Sequence, residues 1–413
     1  MTTVDEAVKL VLENVPLLPS EKVPVADSLG RVLCEDIRSR RDVPSFANSA
    51  MDGFAVRWSD LDGASTAAPV SLGVRGEVAA GGASRKRVLP GTAIRIMTGA
   101  PVPAGADTIV RVEHTEMRGD RVAVSRTDGK GSHIRPAGED IGKGQLILER
   151  GKLLGAADIG LMASIGKAAV TVRRRPVVAI IATGDELIGV DDKPARGKVV
   201  NSNGYTLSSA VREIGAVPRS FGIVRDSRSR LAGAFRKALR CDALITSGGV
   251  SVGDYDYVKD ALGDAGMHML FWRVAQRPGH PMTFGRAGAR PVFGLPGNPV
   301  SSLVSFMLYV RPALLKMMGH ERLFLPVVRA KLAHDIKTAR GLKEFVRCRL
   351  EEDKGRFVAS STGTQSSGVL RSLSLAQGLI VAREDQTVLR KGSHAPTILL
   401  DHRQRWLQEE MGF

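Results

Sequence analysis

Ala243-Leu244-Ile245-Thr246-Ser247-Gly248-Gly249-Val250-Ser251-Val252-Gly253-Asp254-Tyr255-Asp256 is the stretch whose reading decides the fold. Residues 243–246 form a short β-prone run, as expected of a strand buried on both faces. A glycine loop follows at once, then a helical stretch near Tyr257. Upstream, the run Val177–Ala182 leads through a loop to a helix with Leu207, Ala210, Val211 and Ile214 on one face. Gly215 is well placed to stop that helix. A second run, Phe221–Val224, leads to a helix carrying Leu231, Ala234, Phe235, Ala238 and Leu239. This β-α-β-α-β order predicts a doubly wound parallel α/β sheet with helices on both faces. Further downstream a long helix follows Pro299, with Leu303, Phe306, Met307 and Val310 turned inward.

The flanking regions read differently, so the chain is multidomain, α/β plus β. Its 413 residues suit two to four domains. Residues 1–41 open with a helix, where Thr3 and Glu6 have capping-box spacing ahead of an apolar stripe of Val4, Ala7, Val8, Val11 and Leu12. From 42 to 140 short β-prone runs (Val70–Gly76, Thr92–Met97, Thr108–Val112, Val122–Ser125) are divided by glycine and proline turns, predicting a small β domain. Residues 141–172 add another β-prone piece and a short helix. Beyond Pro326, the alternating runs Val327–Leu332, Glu344–Leu350 and Ala395–Leu400 predict a second β domain.

Bulk properties exclude several classes. No apolar run reaches the roughly 18 residues of a membrane span; the best, Val300–Val310, is too short. Asp5, Glu6 and Lys9 interrupt the N-terminal apolar pattern too early for a secretory signal, so the expected location is the cytoplasm. Cys34, Cys241 and Cys348 are widely spaced, which argues against a cysteine-built zinc site or a disulfide framework. Lys and Arg number 59 against 43 Asp and Glu, a net charge of +16 that favours anionic partners. Only 5% of residues are aromatic and the basic residues are scattered, so phosphorylated small molecules fit better than nucleic acid.

In open parallel sheets, ligands bind beyond the carboxyl ends of the strands. Three loops leave that edge, each with an acid: Thr183-Gly184-Asp185-Glu186, Arg225-Asp226, and the 247–256 loop quoted above. Glu186, Asp226 and one of Asp254 or Asp256 are therefore expected near one crevice. The glycines let backbone N–H groups approach an anion, and carboxylates beside an anion suit a bridging hard cation. The same acids could also be plain helix caps. Arg273, Arg277 and His280 flank the turn Gln276–Pro281, and Gly294-Leu295-Pro296-Gly297-Asn298-Pro299 joins a strand to a helix. Spacing alone supports a phospho-ligand enzyme and does not name the reaction.

Taken in order, the motifs carry more. Asn48-Ser49-Ala50-Met51-Asp52-Gly53-Phe54-Ala55-Val56-Arg57, Arg95–Pro103, Gly138-Glu139-Asp140-Ile141, residues 183–187, 247–254 and 294–299 together resemble the molybdenumtransferase family called MoeA in bacteria. The resemblance covers essentially the whole chain. It implies an elongated homodimer of four-domain subunits: a discontinuous domain (1–41 and 141–172), an inserted β domain (42–140), an α/β molybdopterin-binding domain (173–325) and a C-terminal β-barrel-like domain (326–413). The crevice would be shared between subunits.

The implied reaction inserts molybdate into adenylated molybdopterin, with magnesium-dependent release of AMP. By motif, Asp52, Thr98, Asp140, Glu186, Asp226 and Asp256 form the catalytic group, with Glu186, Asp226 and Asp256 as metal contacts. Ser247, Gly248, Gly249, Ser251, Gly253, Pro296 and Pro299 would bind the pterin nucleotide. Arg273, Arg277, Arg347 and Ser367 align with the molybdate-binding positions, since a tetrahedral dianion needs cations and N–H or O–H donors. The molybdopterin adenylyltransferase is an implied partner. Three departures stand out: Arg273 and Arg277 where lysine is common, His280 for another frequent lysine, and Ala47 where aspartate is frequent. Two other readings share the fold: a non-catalytic dimeric scaffold like the C-terminal domain of gephyrin, and a paralogue hydrolysing a related nucleotide. The inserted domain and the complete acidic group favour the transferase.

Overall fold

The computed structural model describes residues 1–82, 85–249, 257–353 and 356–400. The chain forms two compact units, Met1–Glu21 with Arg173–Phe413 and, separately, Lys22–Val172. Sequence grouped 1–41 with 141–172. By packing, only the part after Glu21 lies in the unit containing 141–172.

The first unit is built on a six-stranded sheet in the order Val217–Val224, Val177–Thr183, Ala243–Ser247, Arg290–Leu295, Thr283–Ala287, His268–Trp272. The first four strands are parallel, as expected; Thr283–Ala287 joins them antiparallel, and His268–Trp272 pairs antiparallel with Thr283–Ala287. Alternation decides which helix covers which face. Val178, Ile180, Ala243 and Ile245 pack with the helices Ser202–Glu213 and Pro299–Ser305, while Ala179, Ile181 and Leu244 pack with Arg228–Ala238 and Tyr257–Asp264. Register places Thr183 beside Val224, Ala182 beside Ser247, and Ser247 beside Leu295. Four loops therefore leave the sheet at one edge.

The helix Val4–Glu13 begins with the expected capping box: Thr3 N–H donates to Glu6 Oε2 at 2.9 Å, and Glu6 N–H to Thr3 Oγ1 at 3.2 Å. Its buried Val4, Ala7 and Val11 join the first face of the α/β core. The helix after Pro299 runs to Met317 and is longer than its apolar run predicted. Its 19 residues are long and apolar enough to cross a membrane by length and composition, but 72% of its most apolar 18-residue stretch is buried. A π-helical turn at Phe306–Val310 precedes Arg311-Pro312, where proline removes one donor from the ladder.

The C-terminal strands close into a barrel: Lys343–Asp353, Arg356–Ser361, Val327–Leu332, His394–Leu399 and Gly378–Ala382, the last pairing back onto the first. Ala330, Leu332, Val346, Cys348, Ala359, Ile380 and Leu399 fill it. Gln276–Arg277 adds beside Lys343–Glu344 and ties the barrel to the α/β domain.

The second unit holds a six-stranded sheet, Thr108–Arg111, Gly53–Val56, Thr92–Ile96, Val70–Val78, Arg121–Val124, Thr115–Arg118. A separate core joins Val25, Leu33 and Ile37 to Ile141, Leu148, Met162 and Val172.

Candidate active site

The edge formed by the four aligned strand ends opens into a cavity of about 650 Å³, lined by Thr183, Glu186, Asn201, Asn203, Ser247, Gly248, Gly249 and Pro296–Pro299, among others. Two helices begin at its wall, Ser202–Glu213 and the one starting at Pro299. Helix N-termini present unpaired N–H groups and favour anions. The glycine loop is packed against the end of the neighbouring strand and against Val258. Gly248 (φ +96°) stands where a Cβ would collide with the Thr183 carbonyl oxygen, and at Gly249 (φ +66°) one would collide with Val258. Only glycine fits either place, so the Ser-Gly-Gly of the sequence is a steric requirement of this turn.

Of the acids expected at this edge, Glu186 lines the cavity, while Asp226 lies beside Asp185 and is not in its lining. Asp226 N–H donates to Asp185 Oδ1 at 3.3 Å, and Arg225 Nη1 and Lys198 Nζ both donate to the Asp185 carbonyl, at 2.5 and 2.7 Å. Burial pushes the Asp226 carboxyl above its ordinary range, helped by the neighbouring charges of Asp185 and Glu186 and only partly offset by a backbone hydrogen bond at Asp185. Such an excess of negative charge suits a divalent cation. Asp185 was quoted in its motif but not singled out; nothing in its spacing separates it from a turn residue. Ser251, Gly253, Asp254 and Asp256 lie outside the described residues. Among the described residues, no three Asp, Glu, His or Cys side chains converge closely enough to hold a metal by themselves.

A second cavity, about 750 Å³, is lined by Arg277, Gly279, His280, Ser301, Leu342 and the loop Thr364–Ser367. Pro281, Pro296 and Asn298 line both cavities, so one wall divides them. The turn Gln276–Pro281 is held from behind: the Gln276 amide nitrogen donates to the Pro278 carbonyl at 3.1 Å, and the buried Tyr309 hydroxyl donates to Gln276 Oε1. Val300 N–H donates to the Ser367 carbonyl at 3.1 Å, fixing the far rim to the helix start.

The four expected molybdate-binding residues do not share one surface. Arg277 and Ser367 line the second cavity. Arg277 is also 3.5 Å from the Glu344 carboxylate. Arg347 is fully buried behind the loop, its Nη2 donating to the carbonyls of Thr364 and Ser366 at 3.1 Å each. Its Nε and Nη1 have no partner among the described residues, and burial pushes its pKa below the ordinary arginine value. Arg273, at φ +74°, does not line the cavity; its N–H donates to the Met282 carbonyl at 2.8 Å, and its Nε is likewise buried without a partner. His280 lines the cavity, its Nδ1 without a partner among the described residues.

In the second unit, Asp52 and Thr98 meet. Thr98 donates both its N–H and its hydroxyl to Asp52 Oδ1, each at 2.7 Å, and these bonds, the backbone one foremost, hold the exposed carboxyl below its ordinary range. Gly53 follows because a side chain there would strike the Val110 carbonyl of the adjoining strand. Asp140 is exposed on a turn, its N–H donating to the Val43 carbonyl at 3.0 Å.

Asn203 escaped the sequence reading although its setting, Asn201-Ser202-Asn203 at a helix start, is visible there. Its side-chain nitrogen donates to Ser247 Oγ at 2.7 Å and to the Gly297 carbonyl at 2.8 Å.

Residues 2–166 match the MoeA N-terminal region (domain I and II), 179–316 a probable molybdopterin binding domain, and 329–400 the MoeA C-terminal region (domain IV). The chain is 39% identical over 399 residues to molybdopterin molybdenumtransferase 2 of Mycobacterium tuberculosis, covering 95% of this chain and 98% of that one. It is 37% identical over 383 residues to the molybdopterin molybdenumtransferase of Bacillus subtilis, covering 92% and 89%. The crystal structure of a molybdopterin biosynthesis MoeA protein from Pyrococcus horikoshii superposes with a TM-score of 0.82 at 31% identity, covering 97% of this chain and 99% of that one.

Proposed function

The chain belongs to the MoeA family, and on that premise we propose that it is a molybdopterin molybdenumtransferase, joining molybdate to adenylated molybdopterin and releasing AMP. The observation that carries the reading is the wall shared by two unlike cavities. One offers a glycine loop, two helix N-termini and the Glu186 carboxylate, with Asp226 and Asp185 nearby, the setting for a phosphoanhydride beside a divalent cation. The other offers Arg277 and His280, backed by buried Arg347, the setting for an oxyanion. A transferase needs its two substrates held against each other in this way.

Glu186 and Asp226, with Asp256, would hold magnesium, which when bound neutralises the pyrophosphate and acts as a Lewis acid. The raised Asp226 carboxyl supports that role, because a cation would offset its burial first and its crowding by Asp185 and Glu186 second. Ser247–Gly249 would cradle the phosphates, and Arg277, Arg347 and Ser367 would hold molybdate, with Arg273 adding charge from behind. Asp52, Thr98 and Asp140 would complete the centre from the second unit of a partner subunit in a homodimer. We place the enzyme in the cytoplasm, supplied with its nucleotide by the adenylyltransferase.

The test follows AMP release and reconstitution of a cofactor-free molybdoenzyme from adenylated molybdopterin, magnesium and molybdate. Turnover in the wild type that is lost in Asp226→Ala and Asp256→Ala is the expected result. Nucleotide binding with no release under any condition would remove the enzyme reading.

A further inference from the structure

The second unit holds a cluster of ionisable side chains that the proposed reaction does not call on. Asp128 lies on the loop between Arg121–Val124 and Ile134–Arg135. Its Oδ2 accepts from His133 Nε2 at 2.7 Å and from Arg111 Nε at 3.1 Å. His114 joins them, its Nε2 3.1 Å from Arg111 Nη2 and its Nδ1 3.8 Å from Asp128 Oδ2. A guanidinium only donates, so His114 accepts at Nε2. The His133 bond foremost, with the nearby charge of Arg111, holds the Asp128 carboxyl below its ordinary range. The same two partners reach Asp52 through the backbone. The His133 carbonyl accepts the Ala50 N–H at 2.8 Å, and Val112, next after Arg111, donates its N–H to the Asp52 carbonyl at 3.0 Å. Strand register sets Arg111 directly opposite Gly53. One carboxylate therefore fastens together the two segments to which the backbone of residues 50–53 is bonded. The Asp52 side chain is bonded to a third segment, through Thr98.

We infer that Asp128 is a positioning residue: by tying His133 to Arg111 it fixes the backbone on which Asp52 meets Thr98. The catalytic role of Asp52 rests on the transferase reading above; the brace itself rests on these contacts. Both Thr98 donors converge on one oxygen, Asp52 Oδ1, so the pair forms only while the 50–53 backbone keeps its place. Without the Asp128 carboxylate, His133 and Arg111 have no common partner, and the two segments can separate. His133 is also held at φ +61°, in the left-handed region that histidine tolerates better than most side chains. Its ring bond to Asp128 secures that turn, whose carbonyl carries Ala50.

The experiment follows the Thr98 amide of the full chain at neutral pH by nuclear magnetic resonance with threonine-selective nitrogen-15 labelling. The peak is identified by its loss in Thr98→Ser. A short N–H bond to a carboxylate moves the amide proton downfield, and Asp52→Asn supplies the position for a weakened bond. Asp128→Asn should shift the peak at least about a third of the way to that reference. His133→Asn removes the ring, suits the left-handed backbone and leaves the Asp128 charge in place, so an equal shift there reports the brace and not the charge. The double variant should do no more than either single one, because the brace acts as a unit. In AMP release, kcat should fall about tenfold in each variant with KM changed less than about twofold. Should Asp128→Asn fail to fold, its whole spectrum collapses and His133→Asn carries the test. An unmoved Thr98 peak in a folded variant, or a moved peak with unchanged kcat, overturns the inference and leaves the transferase reading intact. A moved peak in a protein whose wild type shows no turnover leaves the brace standing and overturns the transferase reading instead.

Discussion

At the first cavity the donors facing an anion are backbone N–H groups, fixed by glycines that no other residue can replace and by two helix starts. At the second, the donors are side chains on loops from two domains, Arg277 and His280 from one and Ser367 from the other, with Arg347 buried behind them. The first solution is preorganised because the peptide unit has few soft dihedrals and its dipoles are set by the fold. The second is adjustable, since each cation is held by neighbours that can be altered one at a time. A nucleotide with invariant phosphates suits the first, and a small dianion that must arrive and react suits the second.

The sharpest way to break this comparison is Gly248→Ala. A methyl group there strikes the Thr183 carbonyl at a φ that L side chains rarely adopt. AMP release in single turnover should fall by at least about 100-fold, with molybdate binding to the second cavity far less affected. Equal loss at both cavities would mean that the two are not separately built.

Arg347→Met probes the other side. The guanidinium is fully buried, makes two bonds to carbonyls and has no carboxylate partner among the described residues. Removing an uncompensated buried charge can be neutral or stabilising for the fold. Molybdate affinity should fall about tenfold, the size of a charge-assisted contact, with a melting temperature unchanged or higher. A clear drop in melting temperature would make Arg347 a structural brace and not a source of positive field.

A smaller change should go in the opposite direction. Glu344 lies 3.5 Å from Arg277 and also accepts the Ala339 N–H at 2.6 Å. Glu344→Gln keeps an oxygen for that N–H and frees Arg277 for the incoming anion. Molybdate should bind roughly two- to fivefold tighter, in keeping with a partly exposed ion pair; unchanged affinity would show that Arg277 does not contact the anion.

The smallest effect on turnover belongs at the opposite end of the strand Val177–Thr183. Asp242 accepts two bonds from Arg174, at 2.6 and 2.8 Å, and one from Val177 N–H at 2.8 Å. Burial alone would raise its carboxyl, but these bonds outweigh it and the net shift is downward. A depressed carboxyl contributes stability that is present above the ordinary carboxylate range and is lost as pH falls through its folded value. Asp242→Asn should therefore cost about 1–3 kcal/mol at neutral pH and flatten the acid side of the stability profile, with turnover unchanged. Chemical denaturation at neutral pH and at pH 3 checks both points.

The N-terminal capping box, the strand runs of the sheet and the acids at its edge were readable because each is a local pattern. Thr3 and Glu6 lie within one helical turn, and Val178 and Ile180 alternate with Ala179 and Ile181 along one strand. Asp185 was not readable as part of the acidic group, because only the register of Val224 beside Thr183 brings Asp226 to it. The sequence offers four arginine and serine positions as equivalent. The fold sorts them: Arg277 and Ser367 line the cavity, Arg347 is fully buried, and half-buried Arg273 does not line it.

The sequence by itself determined the α/β sheet, the loops that leave its carboxyl edge, and which motifs carry charge, because hydrophobic period and glycine placement act over a few residues. Only the tertiary structure decided that Pro281, Pro296 and Asn298 line two cavities and that Asn203 joins Ser247 to Gly297. Ser247 lies 44 positions from Asn203 and Gly297 lies 94. Two hydrogen bonds of that reach exist only after parallel strands have aligned their ends, and no local propensity encodes that alignment.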